Sequence, residues 1–212
     1  MGEFFNPEKG IWAWLGTLVD ICGLSILWTF LCLPVATIGP ATAALYYTVV
    51  KCVRGRESGA FGYYLRSFRQ NFKVGLLAGL IVVPLALLLL GGHFIVRWYG
   101  TRLGGGAYLL YVAYYFALVL PAGVLCWLFP LLGRFHYGVG GLFRMALQLT
   151  AAHLPSTVVV VLLTAQAAVF CIEEWWPVVF MPVLTVLLAS LFFERIFQLH
   201  SPGPEEPEHP EA

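Results

Sequence analysis

Residues 28–54 read WTFLCLPVATIGPATAALYYTVVKCVR, and the reading of this stretch decides the fold. It opens as the end of an apolar helix, breaks at Pro34 and again at Gly39-Pro40, resumes as an Ala/Tyr run and stops at Lys51 and Arg54. Proline lacks the amide donor and clashes with the preceding turn, and Gly-Pro marks a turn. A break at membrane depth is tolerated only where protein or a water-filled cavity satisfies the freed backbone groups. We read residues 41–53 as a helix at the membrane interface following the end of a span. A re-entrant, cavity-lining element is the alternative.

The surroundings of the break place it in a membrane protein. Of 212 residues, 60% are hydrophobic and 11% charged, with a mean hydropathy of +0.83. Globular domains run at about 45–50% apolar and about 25% charged. A core of this size cannot hide that surplus, so lipid is the expected solvent. The net charge of +1 gives no reason to expect nucleic acid. Cys22, Cys32, Cys52, Cys126 and Cys171 are scattered through apolar runs without a CxxC pair, which reads as small hydrophobes rather than a disulfide framework or metal site. No cleavable signal is evident at the N-terminus, and Asn6 does not fit a myristoylation signal at Gly2.

Spanning the hydrocarbon takes roughly 20 apolar residues. Five stretches qualify, over residues 11–33, 74–96, 107–130, 157–172 and 178–197. Trp12 and Trp14 suit an interfacial belt at the first, and Pro84 predicts a kink in the second. Residues 97–106 read as a loop. The third span is rich in tyrosine, which points to packing and interface anchoring. The fold class is therefore all-α, a polytopic membrane helix bundle of about five spans. Amphipathic or re-entrant helices are added on the cytoplasmic side. Residues 1–199 form one integral domain, and residues 200–212, rich in proline and acid, form a disordered tail.

Two amphipathic segments precede spans. In the first, Phe61, Tyr64, Leu65, Phe68 and Phe72 fall on one helical face and Arg66, Arg69, Gln70 and Lys73 on the other, a pattern that suits an anionic lipid surface. The second opens at Gly133-Arg134, with Phe135, Val139, Leu142, Phe143, Ala146 and Leu147 as its stripe. Break, amphipathic element and span thus occur twice, a loose internal repeat. Five spans put the basic segments and the C-terminus on one side, predicted cytoplasmic, with the N-terminus outside. A sixth crossing by residues 41–53 would move the N-terminus inside.

Charge inside spans is costly and points to function. Asp20 is the acid inside the first span, and its depth suggests pairing with His93 and Arg97 at the outer end of the second. A structural polar clamp is the preferred role over a proton relay. Glu194-Arg195 at the inner end of the last span suggests a latch against Arg134 or the basic helix, or simple snorkelling. No nucleophile elbow, phosphate loop or H-E-x-x-H motif occurs, so no enzyme, cofactor or metal is expected.

The string LPVATIGPATAALYYTVVKCVRG followed by YYLRSFRQNFK resembles the signature of the YesL-like family of bacterial integral membrane proteins, a domain of unknown function. The matching positions are Pro34, Thr37, Ile38, Gly39, Pro40, Ala41, Ala44, Leu45, Tyr46 and Tyr47, then Tyr64, Phe68, Asn71, Phe72 and Lys73. Many relatives carry Asn near the position of Ser25. Relatives often accompany carbohydrate-uptake systems, so the resemblance implies a non-enzymatic accessory component of sugar uptake or its regulation in the plasma membrane. Its partner would be a sugar ABC permease or another membrane protein. The broken helix (Pro34, Thr37, Gly39, Pro40) and the surface bearing Arg66, Arg69, Asn71 and Lys73 would be its working parts. A small oligomeric transporter, with Asp20 as coupling residue, is the alternative.

Overall fold

The structure, a computed structural model, describes residues 7–103, 107–135 and 137–200; among them there is no strand. The helices are α1 (Pro7–Cys32), α2 (Ile38–Thr48), α3 (Ala60–Gln70), α4 (Phe72–Leu103), α5 (Ala107–Arg134), α6 (Val139–Ala152), α7 (Leu154–Glu173) and α8 (Met181–His200). A 3-10 turn at Val35–Thr37 joins α1 to α2, a π-helical turn at Val49–Arg54 extends α2, and a 3-10 turn at Trp176–Val179 leads into α8. Four helices are long and apolar enough to cross a membrane, over Leu15–Cys32, Phe72–Tyr99, Leu109–Arg134 and Leu154–Glu173. They correspond to the first four expected spans. The fifth expected span falls on α8, a helix of 20 residues that is not among these four. The expected loop over residues 97–106 is shortened, because α4 continues to Leu103; α5 likewise runs through Pro121 and Pro130 to Arg134. The side chains of Trp12 and Trp14, the expected loop glycines 104–106 and the expected tail 201–212 lie outside the described residues.

At the centre is α2, in which Gly39, Pro40, Ala41, Ala43, Ala44, Leu45, Tyr46 and Thr48 are buried. It packs against α1, α3, α4, α5 and α8. Residues 41–53, read as a helix at the membrane interface, thus belong to the helix around which the others assemble. Its small residues are the reason. Without a hydrophobic drive between helices in lipid, close backbone approach and van der Waals contact take over. A Cβ on Gly39 would strike the backbone carbonyl of Gly75, and one on Gly75 would lie 2.8 Å from the Pro40 nitrogen. Across the other side, a Cβ on Gly133 would lie 2.7 Å from the Ala43 carbonyl oxygen.

The break is closed by the protein itself. The Thr37 hydroxyl lies 2.5 Å from the Leu31 carbonyl, a group the interrupted helix would leave bare, and 2.7 Å from the Pro34 carbonyl, which also accepts the Thr37 amide at 2.8 Å. Pro40 sits in the first turn of α2, where a missing amide hydrogen costs nothing.

Contacts fix the helix directions. Trp28 Nε1 donates to Thr42 Oγ1 at 3.2 Å, and nearer the turn Thr37 lies on the Leu31 carbonyl, so α1 and α2 form an antiparallel hairpin. Gly39 lies by Phe129 and Ala43 by Gly133, so α2 runs parallel to α5. Ser25 Oγ accepts the Val183 amide at 3.4 Å, while Trp28 lies beside Val178 and Pro182, so α1 runs against α8. The start of α1 and the ends of α2, α5 and α8 therefore point to one end of the bundle, while α4 starts at the α1–α2 turn, where Gly75 meets Pro40. The hairpin apex lies beside Gly79, early in an α4 that continues to Leu103.

Candidate functional site

Three helices bring their charged ends together beside α2. Glu194, 6% exposed at its side chain, sits in the last third of α8. Tyr46 on α2 donates its hydroxyl to Glu194 Oε1 at 2.9 Å, and Arg134 at the end of α5 approaches Oε2 at 3.4 Å. The expected latch between Glu194 and Arg134 is thus present, and Tyr46 is its third member. Phe193 and Phe197 flank Glu194 on the same helix face and pack edge-on against Tyr46 and Trp127. Trp127, fully buried, donates Nε1 to Thr157 Oγ1 at 2.9 Å and so holds α7 on the same core. Arg54, from the π-helical turn, donates to the Ser190 carbonyl at 3.1 Å.

The latch forms the floor of a cavity of about 380 Å³, lined by Tyr46, Tyr47, Val50, Lys51, Gly55, Glu57, Gly133, Arg134 and Glu194. At its rim Lys51 Nζ lies 3.7 Å from Glu57 Oε2, 4.5 Å from the Tyr63 ring centroid and 3.5 Å from the Tyr47 hydroxyl. That Tyr47 contact, followed by Glu57, holds the Lys51 ammonium above its ordinary range, and a hydrogen bond to Glu57 does the same for the Tyr63 phenol. The site can therefore present both charges and the phenols of Tyr46 and Tyr47 to a ligand.

The remaining sequence candidates are distributed differently. Asp20 does not meet His93 or Arg97: α1 lies on α2, α3 and α8, whereas α4 lies on α2 and α5. Among the described residues the ion pairs are Lys51–Glu57 and Arg134–Glu194. His93 Nδ1 instead shares a hydrogen bond of 2.8 Å with Tyr115, and the Arg97 carbonyl accepts from Tyr111 at 3.4 Å. With Tyr114, which donates to the Leu89 carbonyl, these tyrosines staple α5 to α4. Pro34, Thr37, Gly39 and Pro40 build the break and the α2–α4 contact, and Asn71 closes α3 by donating to Ser67 Oγ at 3.3 Å. The basic segment is helical as read, but with three faces. Ala60, Tyr64 and Ser67 are buried against the body, Phe61, Leu65 and Phe72 form an exposed apolar stripe, and Arg66, Arg69 and Lys73 are exposed beside it. The cavity was missed in sequence, because its walls come from residues 46–57, 133–134 and 194.

No curated protein and no solved structure matches the chain. A family model described as "Protein of unknown function, DUF624" matches residues 21–91, which is 71 of the 212 residues. That stretch holds the α1–α2 hairpin, α3, the start of α4 and one wall of the cavity, and it ties this part of the chain to an uncharacterised domain family.

Proposed function

We propose that this multi-pass membrane protein is a non-enzymatic accessory component of a bacterial plasma membrane, engaging a partner of carbohydrate uptake or its regulation through α3. One observation carries the docking part: α3 is anchored by Tyr64, whose hydroxyl donates to the Ala41 carbonyl at 3.2 Å, yet turns an apolar stripe and a basic stripe outward. With the first turn of α4, a helix so arranged presents Phe61, Leu65 and Phe72 to lipid or to an apolar partner and Arg66, Arg69 and Lys73 to acidic groups at the headgroup level. The carbohydrate association and the bacterial setting come from the YesL-like signature at Pro34–Tyr47 and Tyr64–Lys73. The shared end of the bundle carries Lys51, Arg54, Arg56, Arg134 and Arg195, and by the positive-inside rule it faces the cytoplasm, with both termini on that side.

The experiment is site-specific photocrosslinking from Leu65 and Phe72 in native membranes. Crosslinks to a sugar permease, lost on changing Arg66, Arg69 and Lys73 to Glu while thermal stability holds, support the reading. Crosslinks to a second copy alone point to a homo-oligomer and sink it. The alternative, a small oligomeric transporter with Asp20 as coupling residue, predicts that Asp20→Asn stops uptake in proteoliposomes while assembly survives.

A further inference from the structure

We propose that the cavity between α2, the π-helical turn, α5 and α8 binds a small zwitterion, with the ligand's ammonium end on Glu194 and its anionic end on Arg134. The cavity's volume, about 380 Å³, lies at the lower end of the range for small-molecule sites, roughly 300–1,000 Å³. Its formal charges are Lys51 and Arg134 against Glu57 and Glu194, so the lining is balanced. A dianion or a diamine gains from one half of such a lining and is opposed by the other. A ligand carrying one charge of each sign is complementary to both halves.

Spare bonding capacity points the same way. A carboxylate offers about four lone-pair sites, and Tyr46 and Arg134 occupy two of those on Glu194. A guanidinium has five N–H donors, and the approach of Arg134 to Glu194, at 3.4 Å, is longer than the ~2.7–2.9 Å of a tight charged hydrogen bond. Each group therefore keeps donor or acceptor sites that a ligand lying beside the pair can use. Glu194 is held by a buried phenol, and Tyr46 is in turn fixed by Phe193 and Phe197, so the floor is pre-arranged. Two further cavities, of about 240 and 310 Å³, are lined mainly by apolar side chains such as Trp28, Val186 and Ala167 or Ala189 and offer no charged group.

The ammonium–anion chemistry has two sources, a free amino acid or a phosphoethanolamine lipid headgroup. The test is thermal unfolding of the full chain in detergent with L-serine, glycerophosphoethanolamine, succinate, putrescine or glucose as probe. A saturable rise in midpoint with either zwitterion, and none with the other three, is expected. A response to serine assigns a soluble ligand, and a response to glycerophosphoethanolamine alone assigns a lipid headgroup. Glu194→Gln and Arg134→Gln should each weaken the apparent Kd roughly tenfold or more, while Arg144→Gln, on the exposed face of α6, leaves it unchanged. If Glu194→Gln does not fold, the half-exposed Glu57→Gln and the conservative Arg134→Lys carry the comparison. No response to either zwitterion overturns the proposal. So does an equal response to succinate, putrescine or glucose, or a response that survives the cavity substitutions.

Discussion

Replacing Gly39 by alanine tests whether α2 is the packing centre. The added Cβ would meet the Gly75 carbonyl oxygen, with the Gly75 carbon at 3.0 Å and the Phe129 ring at 3.3 Å. Two of these three atoms are backbone, so rotamer changes cannot relieve the contact and α2 must move away from α4. Overpacking of this kind costs about 1–3 kcal/mol. At about 2–4 °C per kcal/mol for a chain of this length, the melting midpoint should fall by about 2–12 °C. Gly62 on α3 supplies the control, because a Cβ there meets nothing within 4 Å. Gly62→Ala should stabilise by about 0.5–1 kcal/mol, since glycine within a helix loses more backbone freedom on folding. The two glycine-to-alanine changes should therefore have opposite signs. The assay is thermal unfolding of both variants in the same detergent, read by intrinsic tryptophan fluorescence. If Gly39→Ala melts with or above the parent, backbone approach between α2 and α4 does not hold this fold together, and the account of the Gly-Pro motif as a packing device is wrong.

Other expectations follow from individual contacts. Trp127→Ala, which removes a fully buried ring and its bond to Thr157, should cost about 3–5 kcal/mol, and Trp127→Phe clearly less; denaturant titration in micelles checks both. Arg134→Ala leaves the buried Glu194 carboxylate with Tyr46 alone; because Arg134 is 41% exposed, water screens the pair and the loss should be about 1–2 kcal/mol, below the ~3–5 kcal/mol of a fully buried pair. Double-mutant cycles should give a coupling above ~0.5 kcal/mol for Tyr46→Phe with Glu194→Gln, and additivity within about 0.3–0.5 kcal/mol for Asp20→Asn with His93→Gln. Topology reporters fused to the two ends should both report the cytoplasm; opposite compartments would contradict the assignment of α1 and α8 as antiparallel.

Apolar length made the long helices legible, because a run of twenty apolar residues has few other uses. The interruption at Pro34–Pro40 was legible for the same kind of reason, since proline chemistry is local. What α2 does after the break was not. An Ala/Gly/Tyr run suits an interface and a close-packed centre equally well, and the difference lies in Gly75, Phe129 and Gly133, which sequence cannot place beside it. Asp20 shows the limit of reasoning from depth. Depth along a span predicted a meeting with His93, but lateral position decides who meets whom, and α2 and its neighbours stand between them. Glu194 was noticed because an acid in an apolar helix demands a partner; Arg134 answers that demand, and Tyr46 does so from 148 residues away in sequence.

The repeated pattern of helix, amphipathic helix and span acquires a geometric meaning that bears on mechanism. In the first unit α3 packs back along α2 before α4 departs; in the second α6 packs back along α5 before α7 departs. In both units a glycine admits the neighbour: Gly75 lies against Pro40, and Gly123 lies 2.8 Å, by its Cβ position, from Thr150. Because α2 and α5 are parallel, the two units point the same way and are not an inverted pair. Alternating access built on inverted repeats needs opposed units around a midplane site. Here the polar cavity lies instead at the shared charged end, where α2, α5 and α8 finish and where Tyr46, Arg134 and Glu194 join the first unit, the second unit and the final helix. A ligand or partner acting on that junction would alter how the two units sit on each other.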